Sequence, residues 1–344
     1  MAIDYFETRT LLQAVEQLVP ARTFIRDKFF TDVKTFTTEA VDIDIVKGAR
    51  RLAPFVHPRI GSKTVDSLGY TTKTFAPPQV APDYFFTGQD LQKRLPGENI
   101  YSGLGPDARL AKLIGGKLAE FDEMISRTEE WMCSRALFTG QIPIVGEGYN
   151  VTVDFGVTNK ETLGTKAKWS YTASDRTESP IDGLKRWKRA IIKDTGVNPT
   201  DCVMAPDAAD AFMKHPDVIA YLNTLKNINM GIMQPAEMAP GVFFIARIYE
   251  LGLDLYSYEE WFIDPTDGVE KSMVPSGTVV LSSDKVNFQM LYGCVIDVEQ
   301  GSFAMKRVPK SWVEKKPSAR VLQLLSRPLP AIVLPDGMFI GTVL

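Results

Sequence analysis

The sequence predicts an α+β fold. Its helical and strand patterns do not alternate regularly along the chain, as they would in a doubly wound parallel sheet. One unusually long helical pattern covers residues 105–142, and the C-terminal third consists mainly of short strand patterns. With 344 residues, of which 44% are hydrophobic, the chain is long enough for two or more domains with cores of their own.

The N-terminal elements are short. Residues 3–19 form an amphipathic stretch that Pro20 ends. VDIDIV (41–46) alternates apolar and acidic residues, as a half-exposed strand does, and this places its carboxylates on the solvent face. YTTKTF (70–75) is predicted to pair back on this strand, with a turn between His57 and Gly69.

The segment from Lys47 to Val80 is basic and poor in large apolar residues. Residues 45–80 carry a net charge of +5, and because the whole chain carries −3, the remainder carries −8. Two strands alone are marginally stable in water. The segment is therefore predicted to be an extended arm that is either disordered or lies on another surface, with a second chain as a candidate. Its basic residues are Lys47, Arg50, Arg51, Arg59, Lys63 and Lys73.

The long pattern occupies residues 105–142, with Pro106 suited to a first helical position, and no proline interrupts it until Pro143. A helix of this length spans about 50 Å. Gly115 and Gly116 interrupt it, at a cost of about 1 kcal/mol each relative to alanine. Close approach of another backbone, a bend, or a break between two helices would explain them. The helix also carries a predicted exposed acidic face, made of Asp122, Glu123, Glu129 and Glu130.

The second half contains three further helices. Ser179 is predicted to cap a helix that Pro180 starts and Gly196 ends, and two short helices follow that are broken at His215–Pro216. DCVMAP, which begins at Asp201, is predicted to form a strand. Further strands are predicted at 242–248, 253–262, 277–283, 287–293, 320–326 and 331–335.

No persuasive catalytic constellation is present in the sequence. Its two histidines, His57 and His215, are predicted to be surface loop residues, and no CxxC or GxxxxGK[ST] motif occurs. GEGYNV (146–151) lacks the third glycine of a dinucleotide loop and is predicted to be a turn. We therefore expect no cofactor and no metal. The aromatic residues of one stretch are expected to pack in a core: Tyr249, Tyr256, Tyr258, Trp261 and Phe262.

Composition restricts the setting of the protein. A net charge of −3 argues against a protein that mainly wraps nucleic acid. No apolar run is long enough for a membrane helix, and the N-terminus lacks the apolar core of a signal peptide. The cysteines Cys133, Cys202 and Cys294 are far apart and odd in number, which favours buried, reduced thiols in a cytosolic setting.

Five signatures in the C-terminal half occur in a fixed order, behind the two long helices. They are YSYEEWFID (256–264), PSGTVVL (275–281), LYGCVIDVE (291–299), VPKSWVEKKPSAR (308–320) and SRPLPAIVLPDGMFIGTVL (326–344). In these features the sequence resembles the major capsid proteins of lambda-like tailed phages, the phage major capsid protein E family. The resemblance covers nearly the whole chain and is weakest over the first 35 residues.

The resemblance implies a tailed-phage major capsid fold. In this sequence it implies an N-terminal arm over 1–40 and an extended hairpin loop over 41–85. A peripheral domain then comprises 86–175 and 301–344, with a spine helix over 106–139, and an axial domain comprises 176–300. The long helix would be the strut along which one subunit lies against the next.

The resemblance also implies the function and the partners. Subunits of this family form hexamers and pentamers of an icosahedral head, first as a procapsid that later expands. The expected partners are other copies of the chain, a decoration protein, a portal and a scaffold. DNA would be enclosed without sequence-specific binding, and no membrane is involved. The virion capsid would be assembled in the host cytoplasm.

Two alternatives remain open at this point. The first is an encapsulin-like cellular shell protein, which shares the fold. The second, less favoured, is an α+β enzyme or ligand-binding protein. If the protein is a shell subunit, the basic residues of the segment from Lys47 to Lys73 are candidates for contact with an acidic surface of a neighbouring subunit. The acids of the long helix are the first choice for part of that surface.

Overall fold

A computed structural model describes most of the chain. The described ranges are 23–38, 40–46, 70–87, 106–146, 148–225, 236–239, 241–297, 301–315 and 318–344, together with residues 11, 12, 15, 52, 53, 55 and 64. Of the amphipathic stretch predicted over 3–19, only Leu11, Leu12 and Val15 fall within this part, and all three are helical. His57 lies outside the described residues.

The long helix is one continuous element. It runs from Pro106 to Thr139 as predicted, so a break at Gly115–Gly116 is excluded. The helices of the described ranges are α1 Ile25–Phe29, α2 Pro106–Thr139, α3 Pro180–Asp194, α4 Pro206–Lys214 and α5 Pro216–Leu225, with 3-10 turns at Asp284–Val286 and Pro335–Gly337. Ser179 caps α3 by accepting a hydrogen bond from the Asp182 N–H at 3.2 Å.

Short strands form the rest of the regular structure. In chain order they are β1 Asp32–Thr35, β2 Val41–Val46, β3 Tyr70–Phe75, β4 Asp83–Thr87, β5 Gln141–Gly146, β6 Tyr149–Asp154, β7 Lys160–Thr162, β8 Asp201–Met204, β9 Ala236–Ala239, β10 Val242–Ile248, β11 Leu253–Tyr258, β12 Trp261–Ile263, β13 Glu270–Ser272, β14 Thr278–Ser282, β15 Phe288–Tyr292, β16 Val295–Asp297, β17 Gly301–Phe303, β18 Val308–Lys315, β19 Ser318–Leu325, β20 Pro328–Ile332 and β21 Phe339–Thr342. The α+β class is therefore confirmed.

A seven-stranded mixed sheet is the largest sheet of the described part, in the order β7-β21-β14-β8-β11-β10-β9. Trp187 of α3 stacks on Phe339 of β21, with ring centroids 5.1 Å apart. Gly341 of the same strand lies directly under this indole, where a Cβ would clash with the ring. The helix therefore sits against the sheet at a glycine.

The sheet crosses the predicted domain boundary. Strands β7 and β21 belong to the portion predicted to be peripheral, whereas β8 to β14 belong to the portion predicted to be axial. Continuous backbone pairing joins the two portions through β21 and β14, which are antiparallel. The division of the chain into an arm, a loop and two domains stays a prediction.

The long helix connects two apolar clusters. Its first half contributes Ile114, Leu118, Phe121 and Ile125 to a cluster with Phe86, Leu322 and Leu324. Its second half, from Met132 to Phe138, enters the main core with the seven-stranded sheet. The helix therefore holds two packed regions at a fixed separation, as a strut does.

The predicted hairpin of β2 and β3 is confirmed, and its base packs on its own chain. The strands pair antiparallel, with Val41 opposite Phe75. Ile43 is buried in the main core, and the Phe75 ring lies 6.0 Å from that of Phe155. The surface that covers the base of this hairpin therefore belongs to its own chain, and not to the second chain that was the candidate.

Candidate functional site

Three of the four acids predicted to form an exposed face of α2 are buried. Asp122, Glu129 and Glu130 are 9%, 0% and 2% exposed. Glu123 alone is exposed, and it forms an ion pair with Arg127 at 2.9 Å. The prediction is wrong for the three because the helix is covered on this side by segments from both ends of the described chain.

Arg307 neutralises two of these carboxylates. Its Nε lies 2.7 Å from Asp122 Oδ1 and its Nη1 lies 2.6 Å from Glu129 Oε1, while Nη2 donates to Ser126 Oγ at 3.3 Å. Arg307 follows β17, so this contact ties the C-terminal strands to the middle of α2.

Arg26 completes the pairing of Glu129 from the opposite end of the chain. Its Nη1 lies 2.8 Å from Glu129 Oε2, so one fully buried carboxylate holds two arginines. We call Asp122, Glu129, Glu130, Arg26 and Arg307 the helix ion network. Since buried charges are tolerated only when they are paired and hydrogen-bonded, the network requires all its members in place.

Glu130 holds the start of helix α1. Its carboxylate accepts hydrogen bonds from the backbone N–H groups of Phe24, Ile25 and Arg26, at 3.1, 2.7 and 3.0 Å. The Tyr258 hydroxyl donates to it at 2.9 Å. These amides have no partner within the helix, so a carboxylate from α2 satisfies the donors that a short helix leaves free.

Burial shapes the electrostatics of the network. Burial raises the pKa of Glu130 above its usual value, while the amide donors, Tyr258 and Arg26 act in the opposite sense. Burial would lower the pKa of Arg307, but the charge of Glu129 and its hydrogen bonds to Glu129 and Asp122 raise that pKa overall. The neighbouring acids therefore favour the charged form of Arg307, whereas burial disfavours the charged form of Glu130.

Sequence reasoning missed both arginines. Arg26 and Arg307 lie 103 and 178 residues from Glu129, and their own surroundings contain no pattern that marks a buried charge. The burial of two of the acids, in contrast, is indicated by their positions in the sequence. Asp122 follows Leu118 by four residues and Glu129 precedes Cys133 by four, so both acids continue the apolar stripe of the helix.

Most of the basic residues predicted to contact a neighbour lie outside the described residues: Lys47, Arg50, Arg51, Arg59 and Lys63. Lys73 is described, and its Nζ donates to the backbone oxygen of Asp154 at 2.9 Å. It is half-buried and helps to hold β3 on the strand β6 of its own chain. Of the predicted basic residues, Lys73 is the one that the structure describes, and its contact is with β6 and not with the acids of α2.

His215 is a buried residue and not the surface loop residue that the sequence suggests. It is 1% exposed, and its Nδ1 accepts a hydrogen bond from the Asp217 N–H at 3.3 Å. Burial lowers its pKa, and the neighbouring Arg176 acts in the same sense while Asp217 opposes. The imidazole therefore serves as a neutral cap between α4 and α5.

The aromatic stretch divides between core and surface. Tyr256 and Tyr258 are buried as predicted, and Phe262 packs on Trp131, with ring centroids 6.2 Å apart. Tyr249 and Trp261 are exposed, which contradicts the prediction for these two. The turn predicted at GEGYNV joins β5 and β6, with Gly148 at φ 72°.

Other predicted features concern the thiols and possible ligands. Cys133, Cys202 and Cys294 are all free and buried, as predicted. No cluster of three or more potential ligand side chains for a metal occurs in the described ranges. Across those same ranges, none of the helices combines the length and the apolar character needed to cross a bilayer.

The long strut helix, the hairpin that precedes it and the mixed sheet form a fold that solved phage capsid structures share. A solved structure named as a prophage capsid protein of Escherichia coli CFT073 matches the whole chain, with each chain covered over 100%, a TM-score of 0.69 and 18% identity. The capsid structure of cyanophage P-SCSP1u matches with a TM-score of 0.50 and 9% identity, over 95% of this chain and 89% of that one. These likenesses concern the fold.

The family follows from the sequence comparisons. The model of phage major capsid protein E matches residues 7–343, and the chain belongs to this family. The major capsid protein of Escherichia phage lambda is 25% identical over 341 residues, which cover 97% of this chain and 98% of that protein. The major capsid protein of Enterobacteria phage P21 is 27% identical over 346 residues, covering 96% of each chain.

The function predicted from the sequence is confirmed at this level. The protein is a structural component of the virion capsid of a tailed phage. Its helix ion network acts as an internal brace of the subunit. The helix ion network joins an N-terminal helix, the strut helix and the C-terminal strands, which are the parts that a shell subunit must hold in one arrangement.

Proposed function

We propose that the protein assembles into hexamers and pentamers of an icosahedral head that encloses phage DNA, through a procapsid that expands on maturation. The single observation that carries this proposal is the strut helix α2, braced from both ends of the chain by the helix ion network. A shell subunit must keep its shape while its neighbours move, and buried paired charges are costly to rearrange.

The contacts between subunits include the basic segment. Arg50, Arg51 and their basic neighbours dock on acidic surface of the next subunit, and the net charge of −8 outside the segment supports this. The acidic surface that receives the segment differs from the one first expected. Asp122, Glu129 and Glu130 are buried and already paired or hydrogen-bonded within their own chain. Glu123 is the one exposed acid of that set.

Further partners of the head are a decoration protein, a portal and a scaffold. The protein itself has no catalytic turnover and encloses DNA without reading its sequence. Assembly takes place in the host cytoplasm. The alternative of an encapsulin-like shell shares the same fold and differs in what the shell contains.

Electron microscopy and sedimentation of the protein, purified with and without its neighbouring gene products, test the proposal. Closed shells with hexameric and pentameric capsomers are expected, DNA-free at first and larger after DNA entry. Shells that enclose a protein cargo and no DNA would support the encapsulin-like alternative. A strictly monomeric protein across salt and pH, with its assembly partners present, would contradict both.

Reversing Arg50 and Arg51 to glutamate tests the docking of the basic segment. The subunit should keep its circular dichroism spectrum but assemble poorly, and more so at low salt, where exposed charges act most strongly. Wild-type assembly of this variant at low salt would show that apolar residues hold the segment instead.

A further inference from the structure

Arg135 of the strut helix has no carboxylate partner in the described part of the chain. The preceding charged side chains of the helix, from Asp122 to Glu130, are all paired or hydrogen-bonded. Arg135 is half-buried, and its guanidinium lies over the Trp131 ring, 5.8 Å from the ring centroid. Burial without a nearby acid lowers its pKa. An arginine in this state carries a desolvation cost that no carboxylate of the described residues offsets.

Trp131, about one turn before Arg135, contains a second hydrogen-bond donor without an acceptor among the described residues. Its indole Nε1 is buried and has no hydrogen-bond partner among the described residues. Such donors are normally satisfied when they are buried. Two donors on one turn of the helix, Arg135 and Trp131, therefore lack acceptors among the described residues.

The hairpin of β12 and β13 lies beside these donors. Ser134 Oγ donates to the Met273 backbone oxygen at 2.7 Å, next to the open end of the hairpin, where Trp261 pairs with Ser272. Phe262 points toward the helix and contacts Trp131. Trp261 and Ile263 occupy the alternate positions of β12, and they are 50% and 70% exposed.

The charges of the hairpin indicate what kind of partner fits. Lys271 neutralises Asp264 and Asp267, at 2.6 and 2.7 Å, and Glu270 is exposed. A nucleic-acid phosphate would meet these acids and a face of exposed tryptophan and isoleucine. A protein surface that combines a carboxylate with apolar side chains suits the site better, since arginine and tryptophan anchor protein interfaces.

We infer that Arg135, Trp131 and the exposed face of β12 form a docking surface for a second copy of this chain, which places a carboxylate on Arg135. The inference rests on the proposed shell assembly, because the shell brings copies of the chain together. The net charge of −8 outside the basic segment makes carboxylates abundant on the surface of each copy. The contact would supply acceptors for both unmet donors at once.

Three variants test the surface in the full-length protein. Arg135→Met retains the stem over Trp131 without the charge, Arg135→Lys retains the charge, and Arg135→Glu reverses it. Arg127→Met is the matched control, because Arg127 is an exposed arginine on the same helix whose partner Glu123 belongs to its own chain. Thermal unfolding of the unassembled subunit is measured beside shell yield and critical concentration.

Arg135→Met should leave the subunit as stable as wild type or more so, because it removes a half-buried charge. It should raise the critical concentration for assembly by about tenfold or more. Arg135→Glu should impair assembly further, Arg135→Lys should restore part of it, and Arg127→Met should assemble normally. A loss of subunit stability in Arg135→Met would assign the arginine a structural role within the chain and overturn the inference.

Cryo-electron microscopy of wild-type shells identifies the occupant directly. The expected result is a carboxylate of a neighbouring copy within about 4 Å of the Arg135 guanidinium. A partner from the same chain, a different protein or packaged DNA at that position would overturn the inference, as would normal assembly of Arg135→Glu. If the wild-type protein forms no shells at all, the proposed function is wrong. That outcome differs from the preceding ones, in all of which shells form.

Discussion

Arg307 and Glu129 lie 178 residues apart in sequence, yet Arg307 Nη1 is 2.6 Å from Glu129 Oε1, and the two side chains are 11% and 0% exposed. The same carboxylate binds Arg26, so a single residue of the strut helix fixes segments from both ends of the described chain.

Arg307→Met should destabilise the unassembled subunit by about 3–5 kcal/mol, because it leaves Asp122 buried without its cation. Adding Asp122→Asn should recover about 1 kcal/mol or more, since the uncompensated charge is then removed. Urea unfolding curves measure both effects. Arg127→Met, which breaks an exposed pair on the same helix, should cost less than about 1 kcal/mol. Equal losses in Arg307→Met and Arg127→Met would contradict the assignment of the network.

Glu130→Ala should release the start of helix α1, because three backbone N–H groups lose their acceptor. Hydrogen–deuterium exchange at Phe24, Ile25 and Arg26 should become faster, while exchange in the middle of α2 should change little. Tyr258→Phe removes one donor to the carboxylate and leaves the three amides bound, so it serves as the milder control. Unchanged protection of these amides in Glu130→Ala would show that other contacts hold the helix.

His215 should make the subunit less stable as the pH falls. Its pKa is lowered in the folded state by burial, so the fold favours the neutral imidazole. This contribution is present above the ordinary pKa of 6.5 and is lost as the pH falls through the lowered pKa. An asparagine side chain at this position would offer an oxygen to the Asp217 N–H without titrating. His215→Asn should therefore show a smaller decrease in unfolding free energy between about pH 7 and pH 5.

Gly115→Ala and Gly116→Ala separate the remaining explanations of the paired glycines. A Cβ at either position would meet nothing within 4 Å in the subunit. Each variant should raise the stability of the unassembled subunit by about 1 kcal/mol, because alanine favours a helix over glycine. If a neighbouring backbone approaches here, assembly should weaken in the same variants. If the glycines only permit a bend, the cost should appear in shell size or expansion and not in subunit association.

The parts of the fold that local patterns determine were predictable. The start and the continuity of α2 followed from Pro106 and a sustained apolar period, and the β2–β3 hairpin followed from alternation in VDIDIV. The helix ion network was not predictable, because charged residues on a helix are usually solvated and the sequence does not show what covers them. Only the position of Asp122 and Glu129 on the apolar stripe pointed to burial.

The candidate contact residues illustrate the same limit. A cluster of basic residues in the sequence indicates positive charge but does not indicate which surface it contacts. Lys73 donates a hydrogen bond to the backbone oxygen of Asp154 in its own chain. The surface around Arg135 could not be recognised from the sequence either. Its significance depends on the absence of an acid near it in the described structure, which is a property of packing and not of spacing.

Strand β21 has a consequence for the order of events during synthesis. It lies between β7 and β14, so Ile340 pairs with Lys160 on one side and with Val280 on the other. Until the ribosome has released Phe339–Thr342, both neighbouring strands must keep an unpaired edge, and the sheet cannot close. The seven-stranded sheet can therefore be completed only after this strand has been translated.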